Sequence, residues 1–295
     1  MVTCVADFLS NPVGARTDQL CHQWHDQTVT VFLRLSRPVD GVILANHVRR
    51  SFLAVLSKGA SRAARLNAPC TWHPPCTFDI FKREQMRFRS DGLPKPYTIA
   101  ILVHDTIAEV RLRVFGIAGE RFSSASDALV QALADFLPWQ KRLRMSPPEI
   151  LKRIHDQTSG LTLGDVGAHA RIKIHTPVDI SNRNTKHNIA RSLLGRGLRR
   201  LDGIARWNGV FLEPSETQNI TNQFDHLSYD VTQLVVTQHH SQNRHDKKRS
   251  FDVCLGEIEI TGNLAPLLPV FRLIERCQIG RGCVQGLGVI EFITH

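Results

Sequence analysis

The hydrophobic pattern of this 295-residue chain repeats one order of predicted elements, and this order constrains the fold more than any single motif does. In the first half, the spacing of apolar residues predicts a strand at 28–37, a helix at 42–58, strands at 97–103 and 109–116, and a helix at 122–137. In the second half, it predicts a strand at 170–176 that Pro177 ends, a helix at 185–207, strands at 231–238 and 253–261, a helix at 265–276 and a strand at 289–292. Two successive β-α-β-β-α-β units predict an α+β protein made of two tandem ferredoxin-like (RRM-like) domains.

The segment between the two predicted units, residues 138–165, is rich in proline and glycine. Such a composition is typical of a linker, so we expect one domain at residues 1–150 and a second at 151–295. The two ends of the linker are expected to contribute short strands. Residues 1–26 show no regular spacing and are predicted to be irregular.

The charge balance favours a polyanionic partner. The chain carries 37 Lys and Arg residues against 27 Asp and Glu residues, a net charge of +10 and a pI near 9.6. A basic surface attracts nucleic acid most often, although ordinary solubility charge gives the same composition. The sequence shows no apolar run of membrane-spanning length and no export signal, so a cytoplasmic protein without a membrane partner is expected.

The seven cysteines are odd in number and irregular in spacing, which predicts free thiols in a chain without an export signal. Cys70, His73 and Cys76 have the spacing of one corner of a metal site. They lack a second pair at zinc-finger spacing, and prolines surround them. We therefore interpret this segment as a rigid loop and expect no metal and no cofactor.

Arginine is concentrated on the predicted helix at residues 185–207. Residues 171–207 hold nine basic side chains against two acidic ones, whereas a solvated helix face mixes the two signs more evenly. Guanidinium groups bind phosphate through paired donors, so this helix is a candidate phosphate-binding surface. A second basic patch lies in the loop at residues 239–249.

Residues 277–292, CQIGRGCVQGLGVIEF, place four glycines between a predicted helix and the last predicted strand. Glycine permits positive φ and a close approach of another backbone, and successive N–H groups there can bind an anion. A dinucleotide-binding fingerprint needs a strand before the glycines and a helix after them, and here the order is reversed. The glycines alone fit either a tight packing loop or a phosphate cradle.

This C-terminal segment resembles the glycine-rich loop of the RAMP superfamily of CRISPR-associated proteins, specifically the endoribonucleases that cut CRISPR precursor RNA within its repeats. The resemblance extends upstream to SQNRHDKKRSFDVCLGEIEITGNLAPLLPVFRLIER and to HTPVDISNRNTKHNIARSLLGRGLRRLDGIARWNG. In the first half it rests on NAPCTWHPPCTFDIF, KPYTIAI and VRLRVFG. It covers the chain from about residue 28 onward.

The resemblance implies two ferredoxin-like domains with a C-terminal glycine-rich loop, and a partner that is CRISPR repeat RNA as precursor and product. It also implies metal-independent cleavage, in which a ribose 2′-OH attacks the adjacent phosphate and leaves a 2′,3′-cyclic phosphate and a 5′-OH. This chemistry needs a base, an acid and cations beside the phosphorane. Because RAMP proteins share the loop, the alternative is a non-catalytic subunit that binds guide RNA beside other CRISPR effector subunits.

His47 is the first candidate for the catalytic base, because many members of the family keep their catalytic histidine on the first helix after the first strand. His187 and Lys248 are the alternatives, and one histidine on a helix is often merely structural. The expected RNA-binding residues are Arg49, Arg50, Arg191, Arg196, Arg199, Arg200, Arg244, Lys247, Arg249, Gly280, Arg281, Gly282, Gln285 and Gly286.

Overall fold

The structure is a computed structural model that describes residues 5–83, 93–161, 168–180, 189–240 and 250–294. Its helices are α1 (Val5–Ser10), α2 (Thr17–Gln23), α3 (Gly41–Lys58), α4 (Arg62–Arg65), α5 (Phe122–Ala134), α6 (Phe136–Leu143), α7 (Ile189–Ala205), α8 (Pro214–Asp225) and α9 (Leu268–Cys277). Its strands are β1 (Val13–Ala15), β2 (His25–Arg34), β3 (Tyr97–His104), β4 (Ile107–Phe115), β5 (Glu149–Ser159), β6 (His169–Asp179), β7 (Val210–Leu212), β8 (Ser228–Asp230), β9 (Leu234–His240), β10 (Ser250–Thr261) and β11 (Ile290–Thr294).

The chain divides into two compact units, each of which is made of three separate segments of the sequence. Unit 1 comprises Met1–Leu161, Asp202–Leu212 and Val284–Gly286, and unit 2 comprises Thr162–Leu201, Glu213–Cys283 and Leu287–His295. The boundary predicted between residues 150 and 151 falls inside β5. This strand belongs to the sheet of unit 1, because its residues pair with β2 from end to end.

Unit 1 contains a four-stranded antiparallel sheet in the order β3-β4-β2-β5. With β2 as the first strand, this is the spatial order 4-1-3-2 of a ferredoxin-like β-α-β-β-α-β unit. Helix α3 connects the first strand to the second, and α5 lies beside α3. The predicted fold class is therefore confirmed for unit 1.

Helix α3 forms where local signals and core burial agree. The Asp40 side chain accepts hydrogen bonds from the backbone N–H groups of Val42 and Ile43, which caps the helix N-terminus. Leu44 and Val48 are among the residues that turn its apolar face inward, and both are buried. Burying such side chains stabilises the fold by about 1.5–3 kcal/mol each.

Residues 5–26 are not irregular, contrary to the prediction. They form α1, β1 and α2, and β1 pairs in parallel with β7 from a distant part of the sequence. Leu20 and Trp24 are buried, and the Trp24 indole Nε1 donates to Asp26 at 2.7 Å. Three residues of strand are too short to produce a periodic pattern, and the partner strand is nearly 200 residues away.

Two further elements differ from the predictions in the first half. The linker contributes an eleven-residue strand, β5, rather than a short one. The helix predicted at 122–137 ends at Ala134, and Asp135 interrupts it with an extended backbone (φ −72°, ψ 109°) before α6 begins. Pro138 lies in the first turn of α6, where a backbone N–H would have no partner within the helix, so a proline is tolerated there.

Unit 2 contains an antiparallel sheet in the order β11-β6-β10-β8, and β9 also pairs with β10. β10 pairs with β9 through residues 250–256 and with β8 through residues 259–261, so these two short strands share the second-strand position. The order is again 4-1-3-2. The rings of Phe224, Phe271 and Phe292 stack in its core, with centroids 5.9 and 4.5 Å apart.

Strand β6 does not end at Pro177 as predicted, but continues to Asp179. Its pairing with β10 is irregular here, since the register jumps between the pairs Gly256–Ile174 and Cys254–Val178. A proline is tolerated at such a bulge because the ladder does not need its missing N–H. Helix α8 had no predicted counterpart, because only Ile220 and Phe224 of its apolar residues are buried.

Helix α7 contains Gly195, Gly197 and Gly203 without breaking. A Cβ atom at Gly197 would lie 2.6 Å from Cγ2 of Ile274, so glycine lets α7 approach α9 closely. Among the described residues, no helix is long and apolar enough to cross a membrane.

Candidate functional site

The glycine-rich loop follows α9 in unit 2 and is held to β6 by backbone hydrogen bonds. Ile279 N donates to Gly288 O at 2.9 Å, and Gly288 N donates to Pro177 O at 3.1 Å. The next residue, Val289, donates from its N to the side chain of Thr176 at 2.9 Å. The two ends of the loop are therefore fixed side by side.

Position 288 has room only for a glycine. Its φ is +77°, and a Cβ atom there would lie 1.9 Å from the carbonyl oxygen of Ile279. A side chain at this position would break the hydrogen bond that closes the loop. The glycines predicted as a phosphate cradle thus serve in part as the tight packing loop that the sequence also allowed.

The buried side chains of Gln278 and Cys283 both form hydrogen bonds to carbonyl oxygens within the loop. Gln278 is buried, and its amide nitrogen donates to Cys283 O at 3.1 Å and to Leu287 O at 3.2 Å in the orientation that satisfies these groups. The Cys283 thiol donates to Gly280 O at 3.3 Å, and burial raises its pKa. Among the loop residues, Arg281 is exposed.

Val284, Gln285 and Gly286 are counted with unit 1. A Cβ atom at Gly286 would lie 2.4 Å from the Cβ atom of Ala45 on α3. Ala45 precedes His47 by two residues. The structure therefore places Gly286 against the helix that carries the first candidate base.

The predicted arginines of α7 are mostly engaged in hydrogen bonds within unit 2. Arg200 Nε donates to the carbonyl oxygen of Cys277 at 2.6 Å, and an Arg196 nitrogen donates to that of Asp179. Arg191 forms an ion pair with Asp225 at 2.5 Å. Arg199 is exposed. The helix thus presents fewer free cations than its sequence predicted.

His47 lies on α3 as predicted, but its side chain is only 3% exposed. Its ring centroid is 4.5 Å from that of Trp139 on α6, and both ring nitrogens are buried without a hydrogen-bond partner among the described residues. Burial, and secondarily the nearby Arg142, lower the pKa of His47 to about 4. The imidazole is therefore neutral at pH 7 and shielded from a bound substrate in this arrangement.

Arg50 is exposed, whereas Arg49 is half-buried beside Tyr97 of β3. Lys95 lies close enough to Arg49 and Lys82 that both, after burial, contribute to lowering its pKa to about 8. No sequence pattern singled out Lys82, Lys95 or Tyr97, because a single Lys in a proline-rich connection does not stand out.

Several candidates lie outside the described residues: His187, Arg244, Lys247, Lys248 and Arg249. In the described parts of the chain, no group of three His, Cys, Asp or Glu side chains is placed to hold a metal ion. The Cys70 sulfur instead accepts a hydrogen bond from Cys76 N at 3.4 Å. The six described cysteines are free: Cys21, Cys70, Cys76, Cys254, Cys277 and Cys283.

No protein-family model matches the sequence, and no curated protein matches it either. Solved structures do match. Two ferredoxin-like units with a glycine-rich loop before the last strand define the class of fold, and within it the similar structures are Cas6 proteins.

A product complex of Cas6 TTHB231 superposes with a TM-score of 0.57 at 17% identity, over 91% of this chain and 99% of that one. A product complex of Cas6 TTHA0078 gives a TM-score of 0.54 at 11% identity, over 92% of this chain and 100% of the other. The Thermus thermophilus Cas6 TTHB231 gives 0.51 at 16% identity, over 92% and 99% of the two chains. The chain therefore has the Cas6 fold, and the predicted resemblance is confirmed at the level of fold.

Proposed function

We propose that this protein is an endoribonuclease that binds the repeat hairpin of CRISPR precursor RNA and cuts it to produce guide RNAs. The observation that carries the proposal is the fold, which matches two Cas6 product complexes over about nine-tenths of this chain. The net charge of +10 and the exposed Arg50, Arg199 and Arg281 support an RNA partner.

In the proposed reaction, a base removes the proton of a ribose 2′-OH, and the resulting oxygen attacks the adjacent phosphorus. The 5′-oxygen leaves and takes up a proton, so the products are a 2′,3′-cyclic phosphate and a 5′-OH. Basic side chains stabilise the charge that develops on the phosphorane, and no metal ion is needed.

His47 is the first candidate for the base, because it lies on the first helix after the first strand of unit 1. Its pKa of about 4 keeps the imidazole neutral at pH 7 but makes it a weak base, so the role requires the pKa to rise when RNA binds. Trp139 covers the ring, so the role requires Trp139 to leave its contact with His47 when RNA binds. His187 and Lys248 remain the alternative proton carriers.

A second candidate function is a non-catalytic RNA-binding subunit of a CRISPR effector complex. The observation that favours it is the burial of His47 beneath the Trp139 ring, because a buried histidine packed against a tryptophan is also typical of a purely structural residue. The two functions share the substrate and differ in whether the RNA is cut.

The test is incubation of the full-length protein with the repeat RNA of the host array, in EDTA, followed by mapping of the RNA ends. We expect one cut per repeat, a cyclic phosphate, and loss of cleavage without loss of RNA affinity in His47→Ala, His187→Ala or Lys248→Ala. His104→Ala is the matched control, because His104 is exposed at the end of β3. Tight RNA binding with no product under any condition would favour the non-catalytic subunit.

A further inference from the structure

Three basic side chains from separate segments of unit 1 gather beside β3. Arg49 comes from α3, Lys82 from the π-helical turn at Asp79–Arg83, and Lys95 from the segment that leads into β3. Lys95 Nζ donates to the carbonyl oxygen of Lys82 at 3.3 Å. We name Arg49, Lys82, Lys95 and the adjacent Tyr97 the β3 basic cluster.

This cluster has no counter-charge in the part of the chain that the structure describes. None of its three cations forms an ion pair with a described carboxylate, although exposed cations of this protein such as Arg34 do form them. Lys82 donates instead to the neutral amide oxygen of Asn67 at 3.3 Å, and its ammonium lies 4.8 Å from the centre of the Phe78 ring. Like charges held together without an anion repel one another.

Two buried polar atoms of the cluster also lack partners. The Tyr97 side chain is fully buried, and its hydroxyl lies beside the Arg49 guanidinium without a hydrogen bond of ordinary geometry to any described residue. Nε of Arg49 also has no hydrogen-bond partner among the described residues. Unpaired buried donors are rare in folded proteins, so each needs an explanation. The pKa of Lys95 is lowered to about 8. Burial is the largest cause, and the positive charges of Arg49 and Lys82 lower it further.

The cluster is held rigidly. Lys95 lies between two anchored prolines, since Pro94 O accepts a hydrogen bond from the Trp207 indole at 3.0 Å and Pro96 O accepts one from Phe115 N at 2.9 Å. The Tyr97 ring stacks on Phe81 with centroids 5.1 Å apart. A site whose donors are fixed in advance binds its ligand without a large ordering cost.

We propose that the β3 basic cluster binds a phosphate group. A guanidinium, two ammonium groups and a phenol hydroxyl supply the donors that a tetrahedral anion accepts, and a phosphate oxygen would pair with the hydroxyl that now has no hydrogen bond of ordinary geometry among the described residues. Arg49 is two residues beyond His47 on α3 and therefore leaves the helix on a different side, so this site is separate from the candidate base. That the phosphate belongs to the RNA backbone rests on the proposed function, whereas the phosphate site itself does not.

The first experiment measures phosphate binding to the full-length protein, as the shift in melting temperature with inorganic phosphate against chloride at equal ionic strength. We expect a saturable shift in the wild type, an affinity weakened about tenfold or more in Lys95→Met and in Tyr97→Phe, and no change in Lys58→Met. Lys58 is the matched control, because it is an exposed lysine at the C-terminal end of α3, the helix that carries Arg49. Because the Tyr97 hydroxyl has no hydrogen bond of ordinary geometry to a described residue, we expect Tyr97→Phe to keep its fold and its melting temperature in chloride.

The second experiment measures the affinity of the same variants for repeat RNA in EDTA, separately from cleavage. A weaker RNA affinity in Lys95→Met and Tyr97→Phe, with Lys58→Met as reference, assigns the site to an RNA phosphate. Unchanged RNA affinity with lost phosphate binding assigns it to a free phosphate compound. The absence of a phosphate-specific shift in the wild type overturns the proposal, whether or not the protein cuts RNA.

Discussion

The arginines of α7 and the β3 basic cluster carry the same kind of charge in opposite surroundings. In unit 2, Arg191, Arg196 and Arg200 each donate to a carboxylate or a carbonyl oxygen nearby. In unit 1, Arg49 and Lys95 lie beside other cations, with no described carboxylate paired to them. The dense arginine run is largely part of the scaffold, and the scattered group is the better candidate for an anion site.

The same contrast holds for the uncharged polar groups. Around the glycine loop, Gln278, Cys283 and Thr176 all have hydrogen-bond partners. On α3 and β3, the side chains of His47 and Tyr97 have none among the described residues. Buried polar atoms without partners destabilise a fold, so they persist mainly where a ligand or a conformational change uses them.

The largest expected effect tests whether the glycine loop is scaffold. Gly288→Ala should lower the free energy of unfolding by about 3 kcal/mol or more, because the methyl group meets the Ile279 carbonyl at a positive φ. Gly59→Ala is the control, since a Cβ atom there meets nothing within 4 Å. Equal denaturation midpoints for the two variants would contradict the structural role of the loop.

The next effect concerns His47, whose buried ring nitrogens have no hydrogen-bond partner among the described residues. The pKa of His47 is about 4 in the folded chain against 6.5 in a free histidine, so the unfolded chain binds more protons between these pH values. Stability is therefore full above about pH 6.5 and falls by about 3 kcal/mol as pH decreases to about 4.

This pH dependence is checked by denaturant unfolding of the wild type and of His47→Leu at pH 7 and pH 4.5. The variant should lose less stability on acidification than the wild type does. Parallel acid profiles for the two proteins would mean that His47 is not held neutral by burial.

A smaller effect separates two neighbouring arginines of α7. Arg200→Gln should destabilise the protein by about 2 kcal/mol, because it removes a charged hydrogen bond to the Cys277 carbonyl. Arg199→Gln, one residue earlier and exposed, should change stability by less than about 0.5 kcal/mol while reducing the salt dependence of RNA binding. The contrast between the two regions fails if both variants keep full stability and both weaken RNA binding equally.

The smallest effect concerns the exposed ion pair of Arg191 and Asp225, whose side chains are 31% and 54% exposed. Arg191→Gln should cost no more than about 1 kcal/mol, and less at high salt. Thermal melting at low and high salt measures this difference. A loss as large as that of Arg200→Gln would show that the pair is more than a surface contact.

The order of elements was predictable because long, periodic segments such as α3 and β4 carry their pattern locally. The pairing of β1 with β7 and the split second strand of unit 2 were not, since they depend on segments far apart in sequence. Likewise, the sequence predicted that α7 carries arginines but not that Cys277 and Asp179 offer them carbonyl oxygens. Lys82 and Lys95 escaped detection because only the fold brings them to Arg49.

The division of the chain into units has a consequence for its synthesis. Unit 1 includes Asp202–Leu212 and Val284–Gly286, so its full set of residues exists only after the ribosome has added position 286. Until residue 212 has been added, Gly116 lacks the Trp207 backbone that packs against it, and β1 lacks β7. A nascent chain halted at residue 161 would contain all four strands of the unit 1 sheet but not the later segments that pack on Gly116 and pair with β1. We expect chaperones and proteases to bind the surfaces left uncovered there.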